Sequence, residues 1–372
     1  MTPGSDPSAQ GKGGFRNLIV VAKIAESSLI TSFHLQAADG AALPPFRPGQ
    51  FLVFKIPSGD AKGYVLRNYS LSGAPDDLNH YRISVKREPS AGPGLPVGLS
   101  SNYLHDMVTV GDVLAADGPR GEFVLDEVSD RPVVLLSGGV GLTPMVAMLH
   151  ALAHRSTRRT LFLHACDNGE VHALRDEVNG LIGQRPGLSA HYCYRVPSPE
   201  DRTGNRFHRE GFITRELMQS LMCLDDYDFY LCGPPPFMQA MYQTLRDLGV
   251  AKDRIAYEFF GPATVLDTEV KPKMVVPTVG AAPAPAVGAI TVEFRKSGLV
   301  AEWDSAAQSL LSFAEDQGLK PEFSCRSGIC GTCASRIISG EVDYFEDPLE
   351  DPAQGELLLC CSRPKSAIVL DL

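Results

Sequence analysis

The chain has 372 residues, 44% of them hydrophobic, and a net charge of −10. This length and apolar content predict two or three globular domains with cores of their own. The negative balance argues against nucleic-acid binding, which needs clustered Lys and Arg to meet phosphates, and nine cysteines are too few for a disulfide scaffold in a chain this long.

Residues 1–14 lack the apolar core of a signal peptide and read as a flexible tail. Residues 15–128 are β-rich. Apolar and β-branched runs at 18–24, 29–35, 51–56 and 80–85 are divided by Pro, Gly and Asp clusters, which predicts a small antiparallel barrel. A helix is expected over 101–107, with Ser100 or Ser101 as its N-cap.

Residues 129–262 alternate between strand and helix. Strands are expected at 133–136, 161–165, 190–194, 228–231 and 255–259, with helices at 143–153, 171–182 and 236–248. This alternation predicts a parallel, Rossmann-like α/β sheet. The most apolar stretch, 132–153, is broken by Ser137-Gly138-Gly139 and by Thr143-Pro144, which suits a strand, a turn and a helix better than a membrane span. The expected location is the cytoplasm.

Residues 263–288 are rich in Pro, Ala and Gly and read as a linker. The final segment, 289–372, begins with a predicted hairpin at 290–303 and a helix at 306–317. It carries 14 acidic and 7 basic side chains, against 30 and 27 in the first 288 residues. Two readings of that acidity stay open, a solvated surface and a docking face for a basic partner.

This last segment also holds Cys325, Cys330 and Cys333, in the run C-R-S-G-I-C-G-T-C, with Cys360 and Cys361 further on. C-x4-C-x2-C with one distant cysteine is the spacing of a plant-type 2Fe–2S site. Zinc sites favour paired C-x2-C spacings instead. Gly328 and Gly331 lie between the ligands, where the loop must curl and bring amides close to sulfur. Spacing alone leaves Cys360 and Cys361 as competitors for the fourth ligand.

A source of electrons is expected upstream. Arg67-Asn68-Tyr69-Ser70 ends a predicted strand. Arg can pair with a pyrophosphate, Tyr can lie against an isoalloxazine ring, and a Ser hydroxyl can reach the reactive ring nitrogen. Ser100, Ser101 and Asn102 open a helix whose free amides suit phosphate. The run Gly139-Val140-Gly141-Leu142-Thr143-Pro144 follows a strand and opens another helix, a place for a second pyrophosphate. Cys232-Gly233-Pro234 follows a further strand at its carboxyl end, where open α/β sheets bind ligands.

In their order and spacing, Arg67–Ser70, Gly139–Pro144 and Cys232–Pro234 resemble the ferredoxin–NADP reductase superfamily, above all the reductase half of flavohaemoglobins. The segments 82–88 (R-I-S-V-K-R-E), 101–106 (S-N-Y-L-H-D) and 257–262 (Y-E-F-F-G-P) share that resemblance. The end of the chain resembles plant-type ferredoxins, in which a proline often stands four residues after the last ligand. Pro364 then selects Cys360.

The resemblance implies three folded parts: an antiparallel β-barrel FAD domain, an α/β NAD domain and an α+β, β-grasp ferredoxin domain. It implies FAD contacts from Phe51, Arg67, Asn68, Tyr69, Ser70, Val85, Lys86, Ser100, Ser101, Asn102, Phe260, Gly261 and Pro262. It places the pyridine nucleotide on residues 139–144 and Cys232, Gly233 and Pro234. Ser70, Cys232 and Glu258 are the expected catalytic residues. Asp167 and Glu170 after the second α/β strand would repel a 2′-phosphate and so favour NADH over NADPH, although Arg195 is a candidate to offset them. No globin domain is expected beside the module, so nitric oxide dioxygenation is not the expected activity. The expected role is an NADH-driven reductase feeding a terminal oxygenase of the Rieske type. The alternatives are another redox protein as acceptor, such as a hybrid-cluster protein or a haem-thiolate monooxygenase, and a cluster-based redox sensor.

Overall fold

The computed structural model describes residues 14–59, 63–89, 98–260, 290–305, 307–323, 326, 328–329 and 331–372. The expectations for the N-terminal tail, the linker, Gly261, Pro262, Cys325 and Cys330 lie outside these residues. Two compact units are present, with the boundary between Glu258 and Phe259.

The first unit opens with strands β1 (Arg16–Ala25), β2 (Ile30–Ala37), β3 (Phe51–Pro57), β4 (Tyr64–Ser70) and β5 (Tyr81–Lys86), helix α1 (Leu99–Met107) and strand β6 (Val113–Arg120). They form one antiparallel sheet in the order β4-β3-β6-β1-β2-β5. A bridge from Leu71 to Ile83 joins its two edges into a barrel. Alternate residues of each strand point inward, and Leu18, Val20, Phe33, Leu35, Phe54 and Ile83 fill the interior. Lys23 donates to the carbonyls of His105 and Val108, each at 2.7 Å, so a cation holds the C-terminal end of α1.

The α1 cap differs from expectation. Helix α1 begins at Leu99 with Gly98 as N-cap, which puts Ser100 and Ser101 inside its first turn. The Ser101 hydroxyl is committed elsewhere: it donates to the Gly98 carbonyl and accepts from the Glu88 amide.

The same unit continues with β7 (Val133–Gly138), α2 (Leu142–Arg155), β8 (Thr160–Cys166), α3 (Arg175–Ile182), β9 (Leu188–Tyr194), α4 (Pro199–Thr203), β10 (Arg209–Glu210), α5 (Arg215–Leu221), β11 (Asp228–Gly233), α6 (Pro235–Asp247) and β12 (Ile255–Phe259). The sheet order is β10-β9-β8-β7-β11-β12, with parallel pairing from β10 through β11. The order reverses between β7 and β11, the position at which such sheets bind ligands. Helix α3 is shorter than expected. Asn168 Oδ1 accepts from the amides of Glu170 and Val171, and Leu174 takes a left-handed φ of 56°, so the chain turns before it can wind.

The barrel is tied to the α/β sheet by charge. Arg82 of β5 donates to both carboxylate oxygens of Glu177 on α3, at 2.7 and 2.8 Å. Glu177 also takes a 2.6 Å contact from His150 Nε2 on α2. A backbone bond from the Ser28 amide to the Glu170 carbonyl adds a second tie.

The second unit contains β13 (Thr291–Phe294), β14 (Leu299–Glu302), α7 (Leu310–Asp316), β15 (Ala334–Ser339), β16 (Val342–Tyr344), β17 (Glu356–Leu358), β18 (Ser362–Pro364) and β19 (Ile368–Leu370). The predicted hairpin β13–β14 is present, and β13 also pairs in parallel with β19. Helix α7 begins four residues later than expected because Ser309 and Ser312 form a reciprocal capping box. Its Leu310, Leu311, Phe313 and Ala314 close a core that includes Phe294, Leu357 and Cys361. This mixed sheet under one helix is the β-grasp arrangement of the α+β class.

Candidate functional site

Strand β4 pairs with β3 in a register that sets Ser70 against Phe51 and Arg67 against Phe54. The strand's period of two sends Arg67 and Tyr69 to one face and Asn68 and Ser70 to the other. Arg67 is exposed, and its guanidinium donates to the Leu66 carbonyl at 2.7 Å. Tyr69 lies edge-on to Phe54 at 5.9 Å, and burial pushes its phenol well above the usual range, so it stays neutral. The Ser70 hydroxyl donates to Glu258 Oε2 at 3.4 Å. That bond brings two of the three expected catalytic residues together across the barrel and the α/β sheet.

Other expected flavin contacts divide. Phe51 is buried with its ring against Gly121. The Val85 side chain is sealed in the barrel core. Asn102 donates to the carbonyls of Glu88 and Gly98, at 2.9 and 2.8 Å, and so fastens two backbone segments to α1. Ser100 differs from these. Its hydroxyl is buried and lacks a hydrogen-bond partner among the described residues, while no side chain caps α1. An unpaired hydroxyl beside free helix amides fits a phosphate oxygen. Phe260 is half-buried just after β12.

A cleft of about 470 Å³ opens where β7, β8 and β11 end. Gly139 and Val140 line it, as do Asp167, Arg195, Pro234 and Phe237. The barrel contributes Leu29, Ile30 and Lys86, which puts Lys86 in this cleft. Gly139 has a left-handed φ of 52°. A Cβ on Gly141 would fall 2.2 Å from the Cys232 carbonyl oxygen, so only glycine allows this turn to approach β11. Phe237 lies against both Gly138 and Gly233. Leu142, Thr143 and Pro144 are buried in α2 and start the helix without lining the cleft.

Cys232 lies beneath the cleft, fully buried. Burial, then the charge of Glu258, pushes its thiol well up, so it is a neutral S–H group. Asp167 accepts from Arg195 Nε at 2.7 Å, which ties the acid and the base expected near the ribose into one pair.

In the second unit, Cys333 and Cys360 are buried. Cys360 sits in a short 3-10 turn, Leu359–Cys361, after β17. The Gly328 amide donates to Cys360 Sγ at 3.2 Å. Cys361 also lies beside Gly328, but its thiol is directed at the Leu358 carbonyl, at 3.8 Å, and takes no amide hydrogen bond among the described residues. An N–H aimed at sulfur is what a thiolate ligand needs to spread its charge.

Three family models match the chain. An oxidoreductase FAD-binding domain covers residues 17–125, an oxidoreductase NAD-binding domain 135–243, and a 2Fe-2S iron-sulfur cluster binding domain 293–365. The flavohem-like FAD/NAD binding domain of nitric oxide dioxygenase from Vibrio cholerae O1 biovar El Tor is 40% identical, with a TM-score of 0.58, over 68% of this chain and 100% of that one. The chain belongs to the ferredoxin–NADP reductase superfamily. Phthalate dioxygenase reductase is 29% identical at a TM-score of 0.56, over 96% of this chain and 98% of that one. A flavohemoprotein of Bacillus thuringiensis subsp. konkukian is 43% identical over 265 residues, 70% of this chain and 65% of that protein. One from Bordetella pertussis is 44% identical over 256 residues, 68% and 63% respectively. The chain thus spans less than two thirds of the length of these curated relatives.

As a member of this superfamily with all three modules, the protein is an NAD(P)H-dependent flavin and iron–sulfur oxidoreductase. Among the described residues, no helix of the reductase is long and apolar enough to cross a membrane. Sequence reasoning missed Phe237 and the barrel residues Leu29 and Ile30. No local motif marks them, because they meet the glycine turn only after the chain folds.

Proposed function

We propose that this chain is the reductase component of a multicomponent oxygenase, passing electrons from NADH to a Rieske-type partner. The observation that carries this reading is the likeness to phthalate dioxygenase reductase, which extends over nearly the whole of both chains. In that protein electrons pass from pyridine nucleotides to a 2Fe–2S centre. The working division is a barrel at 15–128, an α/β domain at 129–262, a linker at 263–288 and a cluster domain at 289–372, with the protein in the cytoplasm.

Bound FAD would take two electrons as a hydride and release them singly, which a plant-type cluster at roughly −400 mV can accept. In this reading Arg67, Ser100 and the N-terminal amides of α1 hold the flavin phosphates. Tyr69 would contact the ring, and Ser70, whose hydroxyl donates to Glu258 Oε2, would be left to accept a hydrogen bond from it. Cys232 supports the nicotinamide pocket from below as a neutral thiol. Cys325, Cys330, Cys333 and Cys360 hold the cluster. The Asp167–Arg195 pair supports NADH, because the guanidinium is occupied and a 2′-phosphate would meet a carboxylate.

The test is capture of the acceptor. Full-length protein, reduced with NADH and cross-linked in native extract, should recover a Rieske-type oxygenase that the protein then reduces in purified form. Recovery and reduction of a haem-thiolate or hybrid-cluster protein, with no reduction of the oxygenase, would replace this reading. Lack of NADH oxidation with any acceptor would favour the sensor.

A further inference from the structure

We propose that Arg326 is a positioning residue for the cluster: its pair with Glu315 holds the turn that presents the Gly328 amide to the Cys360 sulfur. This inference rests on the cluster reading above.

Arg326 follows Cys325 in the sequence and adopts a left-handed φ of 55°. A side chain there is strained and persists only where its surroundings enforce it. Two contacts do so. The guanidinium donates to both oxygens of Glu315, at 3.0 and 2.6 Å. It also lies 3.9 Å from the ring centre of Phe323, which is buried.

Glu315 is a poor choice for stability alone. Its side chain is only 12% exposed, and it stands next to the last residue of α7, where the helix dipole disfavours a carboxylate. Its placement makes sense as an anchor. Helix α7 packs against the 3-10 turn that carries Cys360, and the same helix fixes Arg326 through Glu315. Two ligand-bearing segments are therefore registered on one helix. Two residues beyond Arg326, Gly328 donates to Cys360 Sγ at 3.2 Å, and its carbonyl accepts from the Leu349 amide at 3.0 Å. Hydrogen bonds to ligand sulfur raise a cluster's potential by stabilising the more negative reduced state.

Position and charge predict different results. Arg326→Lys keeps the charge but loses the planar fork and the stacking. Glu315→Gln keeps the shape and removes the negative charge. Each variant would be made in the full-length, flavin-loaded protein. Cluster-to-flavin ratio, visible spectrum and reduction midpoint would be measured. A positioning role requires all three of Arg326→Ala, Arg326→Lys and Glu315→Gln to lower the midpoint. For Arg326→Lys the reduced-to-oxidised ratio should fall about tenfold at fixed ambient potential, or about 60 mV for one electron.

An unchanged midpoint in Arg326→Lys, or a rise in Glu315→Gln, would mean that Arg326 acts only as a point charge and would overturn the proposal. Should Arg326→Ala retain no cluster, the other two variants decide. A parent protein without the 2Fe–2S spectrum would sink the cluster reading itself. A parent with a normal spectrum and an unshifted Arg326→Lys sinks this inference alone.

Discussion

The turn after β7 and the turn at Gly328 both use glycine to bring backbone close to a cysteine, but they are held in different ways. At Gly141 the obstacle to a side chain is the backbone of β11, with the Cys232 carbonyl oxygen 2.2 Å from an added Cβ. At Gly328 the obstacle is a side chain, Cys361 Sγ at 2.9 Å, and the restraints are hydrogen bonds and an ion pair. The first turn is a consequence of sheet pairing and exists whenever the sheet does. The second depends on particular side chains. Damage to the first should therefore be all-or-none, and damage to the second should be graded.

The largest effect expected is from Cys360→Ser. Cluster absorption should vanish with flavin content intact, whereas Cys361→Ser should keep the cluster; the reverse pattern by visible spectroscopy would make Cys361 the ligand. Next comes Gly141→Ala. Misplacing the nucleotide by about 1 Å costs roughly 100-fold, so NADH-driven flavin reduction in stopped flow should fall by at least that much. A rate within twofold of the parent would break the comparison on its rigid side.

Gly328→Ala should do less. The backbone there has a φ of 68°, and strain of about 1–2 kcal/mol is expected, read as earlier thermal loss of cluster absorbance. Adding Cys361→Ala should recover part of it, since the neighbour that must yield is a side chain. No recovery would show that this turn is as rigid as the other.

The smallest effect concerns the joint between barrel and sheet. Burial raises the Glu177 carboxyl, but hydrogen bonds from His150 and Arg82 outweigh it and bring its pKa down from 4.5 to about 2. A depressed carboxyl stabilises the fold above its unfolded pKa, and that contribution fades as pH falls from about 4.5 toward 2. Glu177→Gln should cost about 2 kcal/mol near neutrality and flatten the loss of stability in that acid window. Urea unfolding at pH 7 and pH 3 measures both, and an equal pH slope in the two proteins would remove Glu177 from the joint.

What the sequence disclosed follows the reach of each interaction. The barrel and α/β strands were legible because apolar periodicity is local, and the glycine turn was legible because glycines cluster after a strand. The cap of α1 was not, since Ser101 spends its hydroxyl on Glu88, thirteen residues away in sequence. The start of α3 depended on an Asn168 turn that competes with helix formation. Cys232 stood beside a ligand-binding strand end, yet its burial depends on how Gly141 meets it. Spacing leaves Cys360 and Cys361 as competitors, and what the fold adds, a Gly328 amide directed at the Cys360 sulfur, is a contact that spacing does not encode.

The sealed position of Cys232 bears on covalent labelling. Alkylating reagents require both access and thiolate, and Cys232 offers neither. Cys223 is exposed on the same unit and would take the label first. Maleimide treatment of the folded reductase should therefore mark Cys223 while leaving NADH oxidation intact. Cys223 is also the natural handle for attaching a reporter dye to the working enzyme.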